Sequence, residues 1–223
     1  MCTGVSRTWN QYASTPILWQ SAIYREIAFS SKNWAEWNTD LVKDVDMRQE
    51  MLSLPKNIAE ELRRSAFPGK SIRETHVLVR MPKGLTIKKL RELAKKYFPS
   101  NIDGYGYISP QIVDELGDKP ADESIWLMMT KDVLPRSRSE KYGQQKNIVA
   151  QLAKTTGVPY QVPATLEAVT CILAQYFCSK NRLFSGSRLT YTRCQENVEG
   201  DQIVVGGFAP AGLRVYSFLY DGA

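Results

Sequence analysis

The alternation of apolar and polar positions predicts a domain of mixed helices and strands. Its clearest helix begins after Thr86, where Ile87, Leu90, Leu93 and Ala94 fall on one face at the spacing of an α-helix. Further helices are predicted from Pro110 to Leu116, from Ser139 to Thr156 and from Pro163 onward. The last of these has a broad apolar face and little charge, which is typical of a helix in the core.

Strands are indicated by apolar runs and by alternation with a period of two residues. His76 to Met81 alternates, with Val77 and Val79 on one side. The run 125–130 is apolar throughout, which favours a central strand covered on both faces. Three more strands are predicted at 189–193, 202–208 and 213–219, with a turn at 209–212 joining the last two into an antiparallel hairpin. The predicted fold class is therefore α+β.

The N-terminal residues follow a purely helical pattern. Val5 and Trp9 share one face of a helix with Tyr12, and a second short helix carries Leu18 and Trp19. From residue 30 to residue 74 the pattern remains helical but is irregular. We expect this stretch to form a bridge that packs the N-terminal helices against the main domain.

Residues 5–19 read Val-Ser-Arg-x-Trp-x-x-Tyr-Ala-x-x-Pro-x-Leu-Trp. This spacing resembles the closing helices of an F-box, the motif by which substrate receptors dock on the Skp adaptor of cullin-RING ubiquitin ligases. Residues 21–29, 42–44, 93–98, 126–135 and 205–212 are similar to those of F-box-like proteins from chlamydia-like intracellular bacteria. The similarity runs along nearly the whole chain.

The resemblance implies three segments. These are the C-terminal part of an F-box-like motif at 1–29, the helical bridge at 30–74, and an α+β C-terminal domain of unknown role at 75–223. A complete F-box opens with a Leu-Pro element and two further helices, which do not precede Val5 here. We therefore expect an F-box truncated at its N-terminus, through an internal start codon in the gene model or through erosion.

The function implied by the resemblance is that of a non-catalytic adaptor of the bacterial effector type. Its N-terminal helices would engage the Skp adaptor of a eukaryotic host, weakly in this truncated form, and its C-terminal domain would bind an unknown protein target. The candidate partner-binding residues, which match the motif, are Val5, Trp9, Leu18 and Trp19. The protein would occupy the bacterial cytoplasm before export and the host cytoplasm if it is secreted by a non-classical route.

The composition adds limits on the class of protein. Of the 223 residues, 43% are hydrophobic and 23% are charged, which excludes disordered and fibrous classes. No run approaches the roughly 18 apolar residues of a membrane span, and the N-terminus lacks the pattern of a classical secretory signal. We expect no membrane partner.

The net charge of +6 raises the question of whether the protein binds nucleic acid. The first 75 residues carry 10 Lys/Arg and 9 Asp/Glu, and the remainder carries 19 and 14. The densest cluster comprises Lys88, Lys89, Arg91, Lys95 and Lys96. Glu92 stands four residues from both Lys88 and Lys96, so ion pairs are expected there. We interpret the cluster as a solvated helix face and not as a nucleic-acid site.

The sequence carries no recognised signature of a catalytic, cofactor or metal site. The sequence has no Gly-x-Ser-x-Gly, His-Glu-x-x-His or Walker pattern, and its cysteines have no Cys-x-x-Cys spacing. A single histidine, His76, argues against a zinc site. Cys171 and Cys178 are expected to share a helix face and to pack in the core. We expect no catalytic residues, no cofactor and no metal.

A second interpretation remains open. The F-box remnant would be non-functional, and the C-terminal domain would be a basic ligand-binding module or a thiol-dependent enzyme. Such an enzyme would pair His76 with Cys171, Cys178 or Cys194. Lys131 and Asp132 follow a predicted strand at a place where a pocket could form. The glycines in 206–212 either admit a ligand close to the backbone or mark a bulge and a turn. We favour the bulge and the turn.

Overall fold

The computed structural model of the protein describes residues 28–43, 56–67, 69–98, 103–184 and 190–218. The N-terminal predictions, including those for Val5, Trp9, Leu18 and Trp19, lie outside the described residues. In chain order the elements are β1 (Ala28–Phe29), α1 (Ser31–Trp37), a 3-10 turn (Thr39–Val42), α2 (Lys56–Glu61), β2 (Ser65–Phe67), β3 (Lys70–Ser71), α3 (Ile72–Thr75), β4 (His76–Met81), α4 (Ile87–Lys95), β5 (Tyr107–Ile108), α5 (Pro110–Leu116), β6 (Ile125–Thr130), α6 (Tyr142–Thr156), α7 (Thr165–Ser179), β7 (Tyr191–Val198), β8 (Asp201–Ala209) and β9 (Gly212–Phe218). Helices and strands are mixed, so the predicted α+β class is confirmed.

A three-stranded sheet has β4 in its middle, with β1 parallel to it on one side and β6 antiparallel to it on the other. The predicted strand from His76 to Met81 is confirmed at both ends. Its alternation is also confirmed, because Val77 and Val79 belong to the main core, whereas Leu78 packs in a smaller cluster on the opposite face. Both faces of β4 are therefore packed against apolar side chains.

A four-stranded sheet forms the C-terminal part in the order β5-β9-β8-β7. The predicted hairpin between β8 and β9 is confirmed, with a turn between Ala209 and Gly212. The register of this pair shifts between Gly206 and Ala209, which is the predicted bulge. A Cβ on Gly206 would lie 2.2 Å from the carbonyl oxygen of Thr190. A glycine at position 206 therefore allows the backbone of β8 to lie close to that of Thr190.

Helix α7 joins the two sheets into one core. It contacts β4 and β6 of the first sheet and β7 and β8 of the second. Its buried side chains include Val169, Ile172 and Leu173, which agrees with the prediction of a core helix after Pro163. Helix α4 packs with Ile87, Leu90, Leu93 and Ala94 buried, also as predicted, and the Thr86 hydroxyl caps it by accepting a hydrogen bond from the Lys89 N–H.

The segment 30–74, expected to be helical, contains both helices and strands. Trp34 is fully buried, and its ring lies 5.1 Å from that of Phe29 and 5.7 Å from that of Trp37. Residues 65–67 and 70–71 instead form the antiparallel pair β2 and β3, so the helical expectation is wrong for these residues. Their side chains alternate in burial, with Ala66 buried between two more exposed neighbours, as in a strand.

Two further predictions differ from the structure. Residues 125–130 form a strand, but β6 lies at the edge of its sheet among the described residues and is only half-buried along its length. Its run of apolar side chains arises because Leu127 and Met129 pack on the main core while Trp126 and Met128 pack on the smaller cluster. Helix α6 begins at Tyr142 and not near Ser139, whose φ of 61° is not helical.

None of the helices among the described residues combines the length and the apolar character that crossing a bilayer requires.

Candidate ligand-binding site

A cavity of about 500 Å³ lies beside the edge strand β6. Its walls are β6, the loop 132–137, one side of α6, the extended stretch 158–163, the first half of α7 and the start of β7. Most of the lining side chains are apolar, among them Leu127, Met129, Leu134, Val149 and Val158. Cavities of this size and character hold small ligands or short segments of chain.

The backbone of β6 has polar groups on its cavity side that no described residue pairs with. In the antiparallel ladder with β4, the N–H of Lys131 donates to the carbonyl of Thr75 at 2.8 Å. Because paired residues alternate along such a ladder, Met129 and Leu127 also bond toward β4, whereas Met128 and Thr130 direct their N–H and C=O groups away from it. That outward edge lies along the cavity.

The corresponding edge of β7 is already occupied near the cavity. The backbone N–H of Gln195 donates to the carbonyl of Pro163 at 2.9 Å, and the Gln195 side chain donates to the carbonyl of Val162 at 2.5 Å. The stretch 158–163 is thereby fixed against β7. The open edge of β6 is the one that a ligand can reach.

His76, the single histidine of the chain, is buried at the cavity wall at the start of β4. Its Nδ1 lies 3.2 Å from the carbonyl oxygen of Ile72 and 2.9 Å from the hydroxyl of Thr75, while its Nε2 lies 3.0 Å from the hydroxyl of Tyr160. A carbonyl can only accept, so the proton is assigned to Nδ1. The Tyr160 hydroxyl then donates to Nε2.

The electrostatics of this pair favour neutral side chains. Burial lowers the pKa of His76 to about 4, and the charge of Lys131 acts in the same direction. Burial raises the pKa of the Tyr160 hydroxyl, and the carboxylate of Glu61 raises it further. At neutral pH the imidazole is therefore uncharged and the phenol keeps its proton.

Arg193 supplies a positive charge at another part of the wall. It lies on β7, and its Nη1 atom is buried with no hydrogen-bond partner among the described residues. Its neighbour Tyr142, on α6, donates its hydroxyl proton to the carbonyl of Cys194 at 3.1 Å. A buried guanidinium N–H without a partner is unfavourable, so this site favours a ligand that brings an acceptor.

Glu61 is the second charged group with an unsatisfied atom at the cavity. Its Oε1 accepts from Arg64 at 2.8 Å, while its Oε2 is buried with no hydrogen-bond partner in the part of the chain that the structure describes. Asp132 and Glu167 also line the cavity. In the part of the wall that the structure describes, a ligand therefore meets the guanidinium of Arg193 and several carboxylates.

Of the residues singled out by the sequence, Asp132 lines the cavity, so a pocket does exist beside the Lys131-Asp132 pair. Lys131 itself donates to the carbonyl of Glu74 at 3.3 Å. Burial lowers the pKa of Lys131, and the nearby Arg73 lowers it further.

The cysteines are placed differently from one another. Cys171 lines the cavity and is buried, Cys194 is fully buried, and Cys178 is exposed near the end of α7. The expectation that Cys171 and Cys178 share a buried face is wrong, because α7 leaves the core before it ends. Burial strongly raises the pKa of the Cys171 and Cys194 thiols, so both are protonated at neutral pH. This does not suit a nucleophilic thiol.

Three of the five residues in the basic cluster, Lys88, Arg91 and Lys95, form surface ion pairs. Lys88 contacts Asp118 at 2.5 Å and Arg91 contacts Asp103 at 2.6 Å. Glu92 pairs with Lys95 at 2.7 Å and not with the predicted partners four residues away. In the described residues, no group of three or more His, Cys, Asp or Glu side chains is arranged to hold a metal ion.

The sequence did not identify the residues that matter most at this cavity. Tyr160 and Arg193 come from parts of the chain distant from His76 and Asp132, and no local motif marks them. The one available signal was the charge of Arg193 inside a predicted strand. Comparisons with protein-family models, with curated proteins and with solved structures found no match to this chain.

Proposed function

We propose that this protein is a non-catalytic binding protein and that the cavity beside β6 receives its target. The observation that carries the proposal is the cavity itself, about 500 Å³ with mainly apolar walls and a few placed polar groups. Such a site gains free energy by removing apolar surface from water and uses its polar groups for orientation.

The protonation states at the cavity support binding in preference to catalysis. General bases and nucleophiles work best when their pKa lies near the working pH. Here the pKa of His76 is far below neutrality, and both ring nitrogens already have partners. The thiol of Cys171 is protonated because burial raises its pKa.

We further propose that residues 1–29 attach this binding domain to the Skp adaptor of a host cullin-RING ubiquitin ligase. This part rests on the F-box-like spacing of Val5, Trp9, Leu18 and Trp19. The protein bound in the cavity would then be the target presented for ubiquitination, after export from the bacterial cytoplasm to that of the host. If residues 1–29 have no partner, the C-terminal domain acts as a ligand-binding module alone.

Filling the cavity is expected to abolish binding to it. Val149 faces the cavity from α6, whereas the adjacent Ala150 is exposed on the same helix and does not line the cavity. We expect Val149→Trp to weaken the binding of the apolar dye ANS at least about tenfold, because the indole occupies the volume that the dye needs. Fluorescence titration measures this.

Ala150→Trp is the matched control and is expected to bind the dye as the parent does. Thermal melts of both variants establish that they are folded, since ANS also binds partly unfolded states. Equal dye affinity in the parent and in Val149→Trp, with both folded, would contradict the proposed site.

Attachment to the ligase is tested separately with purified Skp adaptor. We expect the chain to retain the adaptor weakly in a pull-down, and Trp9→Ala to remove that signal, because large aromatic side chains contribute most to interface energy. Lys119→Ala, at an exposed position, serves as the control. Adaptor binding that is equal in all three proteins would refute the role of Trp9.

A further inference from the structure

We infer that the ligand of the cavity is an extended segment of a partner protein, which pairs as an added strand with β6 and places one acidic side chain against Arg193. The inference rests on the proposed function and specifies its ligand. It excludes a hydrocarbon or lipid chain as the main occupant, for the reasons that follow.

The first reason is the backbone of β6. Met128 and Thr130 direct N–H and C=O groups away from β4, along the cavity, by the alternation fixed at Lys131. A hydrocarbon ligand would cover these groups without bonding to them, which is unfavourable. An extended peptide supplies an acceptor and a donor at the matching spacing.

The second reason is the chemistry of the walls on either side of that edge. The side chains of β6 alternate between two apolar clusters, with Leu127 and Met129 on one side and Met128 on the other. Side chains of an added strand also alternate, so its residues would meet apolar walls on both sides. We therefore assign apolar, β-branched side chains to most positions of the bound segment.

The third reason is charge complementarity at Arg193. Its buried Nη1 has no hydrogen-bond partner among the described residues. A carboxylate matches the planar guanidinium and forms a charge-assisted hydrogen bond, which is stronger than a neutral one. The carboxylate belongs to one Asp or Glu of the segment.

Glu61 limits where the acidic residue can lie. The cavity lining also carries the carboxylates of Asp132 and Glu167, and the Oε2 atom of Glu61 is buried with no hydrogen-bond partner among the described residues. These groups would repel a carboxylate of the ligand, so the acidic side chain of the segment is confined to contact with Arg193. Toward Glu61 the segment offers a donor, such as a backbone N–H or a hydroxyl.

The experiment selects peptides from a phage-displayed library of random heptapeptides on the immobilised full-length protein. The expected consensus has apolar, β-branched residues at alternating positions and one Asp or Glu. Selected peptides are then synthesised with a fluorescent label and their affinity is measured by anisotropy. Exchange of the acidic residue for its amide is expected to weaken binding at least about tenfold.

Two protein variants test the role of Arg193 directly. Arg193→Gln is expected to bind the acidic peptide at least about tenfold more weakly and to bind the amide peptide with unchanged affinity. Arg193→Lys keeps the charge but loses the planar fork, so an intermediate affinity is expected. Arg214→Gln, at an exposed position on β9, is the matched control and should bind as the parent does.

A backbone variant of the peptide tests strand addition. Two peptides are compared, one methylated at the odd-numbered amide nitrogens and one at the even-numbered amide nitrogens. Only one of these sets faces β6, where methylation removes the donors and blocks close approach. That peptide should not bind, and the other should keep most of its affinity. If neither set of methylations matters, or if the consensus has no acidic residue, the inference is refuted. If Val149→Trp weakens ANS binding but the library yields no binding peptide, the inference is refuted and the proposed function stands. If Val149→Trp leaves ANS binding unchanged and no peptide is selected, both are refuted.

Discussion

Replacement of Trp34 by alanine is expected to lower the free energy of unfolding by about 3 to 5 kcal/mol, as for large aromatic truncations in well-packed cores. Trp34 has no exposed surface, and its ring makes edge contacts with Phe29 and Trp37. Its indole N–H also donates to the backbone carbonyl of Arg80, on the central strand β4. Truncation removes this hydrogen bond together with the packing.

Urea denaturation of Trp34→Ala and the parent measures the difference. Tyr107→Ala is the matched control, because Tyr107 is also an aromatic side chain but is 52% exposed. Its truncation is expected to change the free energy of unfolding by less than about 1 kcal/mol. A Trp34→Ala variant as stable as Tyr107→Ala would mean that residues 31–37 do not pack on the sheet.

Acid is expected to destabilise the protein through His76. The pKa of this imidazole falls from its ordinary value of 6.5 to about 4 in the folded chain, mainly because it is buried. Between these values the unfolded chain binds the proton and the folded chain does not, so stability is lost as the pH falls from 6.5 to 4. The shift corresponds to about 3 kcal/mol.

The contribution of His76 is isolated by comparison with His76→Gln, which keeps hydrogen-bonding groups but cannot take up a proton in this range. The nearby groups that carry or can lose a proton, Lys131 and Tyr160, are unchanged in the variant. The free energy of unfolding is measured in urea from pH 7 to pH 4. The parent should lose about 3 kcal/mol more than the variant. Parallel curves would show that folding does not lower the pKa of His76.

Much of the fold was predictable from local patterns. The strand from His76 to Met81 and the buried face of α4 were predicted because one residue type recurs with the period of one element. The bulge at Gly206 was predicted because glycines within a strand often mark the close approach of two backbones. These features depend on residues close together in the sequence.

The position of β6 was not predictable in the same way. An apolar run indicates that both faces of a strand are covered, and this is true of β6, whose side chains enter two clusters. It does not indicate whether both edges are paired, since edge pairing involves the backbone and is independent of side-chain identity. The interpretation as a central strand failed for this reason.

The cavity was even less predictable from the sequence. It exists because β6 and β7 belong to different sheets that α7 joins without closing the space between them. The pairing of His76 with Tyr160 depends on that arrangement and has no counterpart in residue spacing. Only the position of Asp132, just after a strand, pointed to the correct region.

Helix α6 forms one wall of the cavity, and not one of its 15 residues is buried. Such a helix can unfold locally while both sheets stay intact, because few apolar contacts oppose its opening. A bound ligand would hold the helix in place, so the measured affinity includes the free energy of closing it. A substitution at a position of α6 that never touches the ligand, such as the exposed Gly143, would then change the affinity through helix propensity alone. The affinity of the site can therefore change by substitutions on the outer surface of α6, while the residues that line the cavity stay the same.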